Sequence, residues 1–150
     1  MSIRFFASCL ALTFAFATAA TAAEVQSKLE VSGDQSAIWE KIGGWCAIAD
    51  WHPAIAKCEE GDADGKKTRT LTTGDGAIIK ETMLSSDATS YSYRIDESPL
   101  PVSNYTATFA LTGGEVVWTA EFDPKGDEAE AKKVIQGIFD GGLDAIKNQL

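Results

Sequence analysis

The stretch Glu115–Leu150 reads EVVWTAEFDPKGDEAEAKKVIQGIFDGGLDAIKNQL. Up to Phe122 it reads as a strand, and after Pro124 the period changes. Asp127, with Glu130 three residues on, resembles a capping box. Val134, Ile135, Ile138, Phe139, Leu143, Ile146 and Leu150 then form an apolar stripe at helical spacing. A long C-terminal helix is therefore expected to close the chain. Gly137, Gly141 and Gly142 lie inside it, where each glycine costs about 0.5–1 kcal/mol relative to alanine. Two offsets are open: volume left for a ligand between helix and sheet, or close approach of the backbone to a strand.

Working back from that helix, the sequence predicts a meander of antiparallel strands. Its members are Ile55–Gly61, Lys67–Thr73, Ala77–Ser85, Thr89–Glu97, Tyr105–Thr112 and Glu115–Phe122. Asp64-Gly65, Gly74-Asp75-Gly76, Ser86-Asp87 and Gly113-Gly114 supply turn chemistry between them. Ser98–Ser103 differs in carrying Pro99 and Pro101, with Leu100 and Val102 offered to something apolar as a lid or a plug. Ahead of the meander, Val25–Val31 reads as a first strand. Asp34 is a candidate N-cap for a short helix with Ile38, Trp39 and Ile42 inward and Gly43-Gly44 as its stop. A second short helix is expected over Trp45–Asp50, ended by Trp51-His52-Pro53, because a residue before proline is pushed out of the helical region. The fold class is α+β: seven antiparallel strands, two short helices and one long helix.

Residues 1–23 carry one basic side chain (Arg4), an apolar stretch Ile3–Phe16 and a small-residue run Ala17–Ala23. This is the pattern of a secretory signal peptide, too short in its apolar part to span a bilayer. Cleavage is expected after Ala23, with a cut after Ala22 nearly as suitable, leaving residues 24–150 as one domain in the bacterial periplasm. The formal net charge of -9 becomes -10 once Arg4 is removed. Such a surface repels phosphate backbones and anionic headgroups, so nucleic acid and membrane surfaces are poor partners. Cys46 and Cys58 survive processing, either as a disulfide or as two separately buried thiols.

Arg69 and Glu81 sit six residues either side of Asp75, so they can face one another across the hairpin at Gly74. Facing inward, they form a buried pair able to tune a general acid or base or to orient a polar ligand group. Facing outward, they form an ordinary surface salt bridge. Lys80 points to the opposite face from Glu81. The four tryptophans read as core, with Trp118 under the long helix placed toward ligand contact. His52, the single histidine, reads as a helix-ending surface residue. No metal ligand set, phosphate loop or nucleophile elbow is present, and no cofactor is expected.

The order strand, two short helices, six strands and a glycine-containing long helix resembles the START-like (SRPBCC) superfamily, the polyketide cyclase/dehydrase and lipid-transport group. The resemblance implies a helix-grip fold, with a curved sheet wrapped around the long helix and enclosing an apolar cavity. Trp51-His52-Pro53, Cys58, Gly61 and Arg69 are similar to a segment of lachrymatory-factor synthase. Ile79–Thr82 and Ser103-Asn104-Tyr105 are similar to pocket strands of that enzyme and of the abscisic-acid receptors. The chain is also similar, in size and export signal, to the periplasmic accessory protein of bacterial methanol oxidation. The resemblance implies that Arg69 and Glu81 are the polar pair of the pocket, catalytic if the protein is an enzyme, with Tyr93 and Tyr105 as hydroxyl-bearing walls. The receptors' Ser-Gly-Leu-Pro-Ala gate is replaced by Thr73-Gly74-Asp75-Gly76. Three functions follow as expectations: an exported binder of a small hydrophobic molecule, a cyclase, isomerase or dehydratase using Glu81 and Arg69, or an accessory protein docking on a periplasmic dehydrogenase.

Overall fold

The computed structural model describes residues 22–150; most of the expected export segment lies outside them. Strand β1 (Ala23–Glu30) is followed by helices α1 (Gln35–Ile42) and α2 (Ile48–Trp51). Strands β2 (Ile55–Ala63), β3 (Lys66–Thr73), β4 (Ile78–Asp87), β5 (Ser90–Glu97), β6 (Val102–Thr112) and β7 (Glu115–Pro124) follow, and α3 (Glu128–Gln149) ends the chain. All seven strands form one curved antiparallel sheet in the order β1-β7-β6-β5-β4-β3-β2. The order is a meander from β2 to β7, with β1 returning to pair with β7.

Local chemistry sets the boundaries. Asp34 accepts a hydrogen bond from Ala37 N at the start of α1, and Asp127 accepts one from Glu130 N at the start of α3. The two-residue connections Asp64-Gly65 and Gly113-Gly114 have positive φ at both positions, as the tight hairpin turn requires. Along β6 and β7, Tyr105, Ala107, Phe109, Leu111, Val116, Trp118, Ala120 and Phe122 are buried on one face while their neighbours point outward.

Several expectations are corrected. The second helix is a single turn beginning at Ile48, because the residues before it are used elsewhere: Trp45 gives its carbonyl to Arg69 and Cys46 is bonded to Cys58. Strand β6 begins at Val102, which is buried in the sheet rather than displayed on the loop. Val134 and Leu150 lie at 39% and 49% exposure, off the buried face of α3. Strand β1 begins at Ala23, which is buried and pairs with Phe122, rather than at Val25.

The three helix glycines have different surroundings. A Cβ on Gly142 would lie 2.8 Å from His52 Cδ2 and 3.0 Å from Trp51 Cζ3 and Trp118 Cζ3, so here the backbone approaches the aromatic core closely. A Cβ on Gly137 or Gly141 would meet nothing within 4 Å. Gly142→Ala is therefore expected to destabilise by about 1–3 kcal/mol through overpacking, whereas Gly137→Ala and Gly141→Ala each stabilise by about 0.5–1 kcal/mol. Urea denaturation of the three variants checks this, and a common sign for all three contradicts it.

Candidate functional site: a small apolar cavity around a buried carboxyl

The layer between sheet and α3 is filled with aromatic rings. Trp118 stacks on Phe139 at a centroid distance of 4.3 Å, and Trp51 stacks on Phe109 at 5.5 Å. These rings leave a small cavity of about 40 Å³. Isoleucine and leucine side chains make most of its wall, and Glu81, Tyr93, Tyr105, Trp118, Leu100 and His52 also line it.

Glu81 is 4% exposed and reaches this cavity from β4. Its register partner on β3 is Arg69, whose Nε donates to Glu81 Oε2 at 2.5 Å. The pair therefore faces inward, and the surface salt-bridge reading is set aside. Arg69 does not itself line the cavity; it stands behind Glu81 as a positioning residue. Its Nη1 donates to Trp45 O at 2.5 Å, and Nη2 has no protein acceptor. The guanidinium charge is met by aromatic faces, with Cζ 3.9 Å from the Trp45 ring centroid and 5.1 Å from that of Tyr93. Burial pushes the Glu81 carboxyl above its ordinary range, against the opposing pull of Arg69. Lys80, on the other face, pairs with Glu97 at the surface.

The remaining polar groups are held in place. Trp118 Nε1 donates to Tyr93 Oη at 3.0 Å. Burial pushes both the Tyr93 and the Tyr105 hydroxyl upward, so both act as neutral donors and acceptors. Leu100 caps the cavity from the β5–β6 loop, where Val102 N donates to Leu100 O and Lys125 N to Pro101 O.

His52 is the residue that sequence reasoning placed wrongly. It is 4% exposed and bridges two elements. Nδ1 accepts from Ala54 N at 3.1 Å, which leaves the proton on Nε2 to be donated to Ile138 O at 3.0 Å. The bond from Ala54 needs the neutral ring, whereas the bond to Ile138 favours the charged one; burial outweighs the latter and holds the pKa below the ordinary 6.5. Above that value the ring is neutral in both states and its stabilising contribution is whole. As the pH falls below it, the unfolded chain takes up a proton that the folded chain refuses, and stability declines until the folded pKa is passed. Unfolding free energy is thus expected to fall between pH 7 and 5 with a slope of up to about 1.4 kcal/mol per pH unit from this residue. His52→Asn should remove that slope; an unchanged slope assigns the acid sensitivity elsewhere.

Cys46, in the turn before α2, and Cys58, on β2, are joined as a disulfide with Cα atoms 5.5 Å apart. The bond ties the segment that carries Trp45 to the sheet beside β3.

Seven strands gripping one long helix around a small cavity define a START-like (SRPBCC) protein of the helix-grip class. The chain belongs to the polyketide cyclase/dehydrase and lipid transport family, which matches residues 22–150. It is similar to the protein XoxI from Bacillus cereus, with 29% identity and a TM-score of 0.75 over 85% of this chain and 94% of that one. It shares its fold with the Zhui aromatase/cyclase of Streptomyces sp. R1128, at 16% identity and a TM-score of 0.65 over 85% and 93% of the two chains. Major latex-like protein 151 of Panax ginseng shares it too, at 15% identity and a TM-score of 0.69 over 86% and 97%. No curated protein matches the chain. Among the described residues, no helix is long and apolar enough to cross a membrane.

Proposed function

We propose that the protein is an exported binder of a small, largely apolar molecule, held in the cavity between sheet and α3 with one polar group on Glu81. The observation that carries this is a carboxyl placed at the wall of an otherwise apolar void and held there by a fully buried arginine. Such a pair is weak evidence for stability, since apolar residues of equal volume serve as well or better. A use in recognition accounts for its presence. Neutral tyrosine hydroxyls at positions 93 and 105 supply further hydrogen bonds, while Leu100 lines the site from the β5–β6 loop. The disulfide supports export to an oxidising compartment, and the burial of Ala23 favours a cut after Ala22.

The raised pKa of Glu81 also fits a second reading, in which the carboxyl moves a proton within a bound molecule as an isomerase, dehydratase or cyclase would. Native mass spectrometry of protein purified from its own host tests the first reading. A co-purifying small molecule is expected in the wild type and is expected to be weakened in Glu81→Gln. An empty wild type contradicts tight carriage and points instead to a protein partner, sought by salt-sensitive pull-down. If Glu81→Gln retains the molecule but no longer converts it, the proton-transfer reading stands. The same spectra give the mature N-terminus.

A further inference from the structure

The void, at about 40 Å³, falls well short of the usual range for ligand sites of about 300–1,000 Å³. A ligand of any size must extend beyond it, and the structure shows one direction that is already open. Pairing between β5 and β6 stops at Arg94↔Thr106, although both strands continue, to Glu97 and back to Val102. At that point Asn104 adopts a φ of +48°, uncommon outside glycine, and the register of β6 against β7 shifts between Ser103 and Thr106. Asn104 is held so by its amide donating to Asp123 Oδ2 at 2.7 Å.

The two strand ends therefore splay, and a cleft of about 690 Å³ lies between them, within the usual range for ligand sites of about 300–1,000 Å³. Ile95 and Tyr105 line both this cleft and the interior void, so two side chains separate one from the other. The cleft carries little uncompensated charge. Arg94 is bound to Asp96 at 2.6 Å and Glu97 to Lys80 at 2.7 Å, leaving Lys125 as the one lining charge outside an ion pair among the described residues, with Ser98, Ser103, Asn104, Thr106 and the facing strand edges to hydrogen-bond a guest.

We infer that the binding site is bipartite, taking an elongated molecule whose one end sets a polar group on Glu81 in the void while its other end lies in the slot between β5 and β6. This rests on the interior-site reading and adds to it the route and the shape of the ligand. The Ile95 and Tyr105 side chains turn aside to join the two volumes, and Leu100 remains as the inner stop.

Straight-chain primary alcohols from butanol to decanol are the probe, with tryptophan fluorescence as the readout, because Trp118 lines the void. Affinity is expected to rise about fourfold for each added methylene across the series. Ser103→Phe and Thr106→Phe, two independent ways of filling the slot, should leave butanol unchanged and weaken decanol at least tenfold. Two outcomes overturn the inference alone: butanol binds but longer chains gain nothing, or decanol binds both variants as it binds the wild type. If no alcohol perturbs the fluorescence, the interior site fails and this inference falls with it.

Discussion

Arg69→Ala is expected to lower the unfolding free energy by about 3–5 kcal/mol, measured by urea denaturation at neutral pH. The side chains of Arg69 and Glu81 are 0% and 5% exposed, so removing the guanidinium leaves a carboxyl without its partner and far from water. The loss also frees Trp45 O and empties the space under the Trp45 and Tyr93 rings. Part of the cost is recovered by protonation of Glu81, so the variant should become relatively more stable as the pH is lowered. The double replacement Arg69→Met with Glu81→Leu should return most of the stability, because it removes both charges and keeps the volume. Lys80→Ala is the internal comparison. It breaks an ion pair on the same strand, but one whose members are 51% and 63% exposed, and should cost no more than about 0.2–1 kcal/mol. Equal losses for Arg69→Ala and Lys80→Ala would show that the pair is not buried.

Reducing the Cys46–Cys58 disulfide is expected to cost about 3 kcal/mol, the loop-closure entropy of a short ring, for a sequence separation of 12. The effect should reach the site as well as the fold. Cys46 follows Trp45, whose carbonyl accepts from Arg69 Nη1, and Arg69 in turn holds Glu81. Release of the α1–α2 turn therefore loosens the carboxyl through two hydrogen bonds. Cys46→Ser/Cys58→Ser is predicted to lose stability by the stated amount and to bind alcohols more weakly than wild type, with the reduced wild type behaving alike. A reduced protein of unchanged stability would mean that the two thiols are not joined in solution.

Much of the architecture was legible because it is written locally. Alternation marked the strands, Asp34 and Asp127 marked the helix starts, and counting from Asp75 placed Arg69 opposite Glu81. What escaped depends on distant parts of the chain. His52 looked like a surface residue because nothing near it in sequence announces that α3 will cover it; the contact is made by Gly142 and Ile138. The start of β6 was missed because Pro101 and Asn104 disguise a strand whose pairing runs through β7 alone at that end. The sequence pairs Arg69 with Glu81 as the polar groups of the pocket, whereas the depth of Arg69 behind Glu81 depends on the distant Trp45, whose carbonyl and ring hold the guanidinium. Cavity size was likewise unreadable, since it is the small remainder left by many stacked rings.

The most direct measurement is a titration of ¹⁵N-labelled protein with 1-hexanol, following the indole Nε1–H resonances of the four tryptophans. Trp118 lines the void and donates to Tyr93, whereas Trp39 lies apart from it over Tyr91 and Phe109. The account predicts a saturable shift of Trp118, weakened in Glu81→Gln, with Trp39 nearly still. Shifts absent from Trp118, or spread evenly over all four indoles, would contradict an interior site built on Glu81.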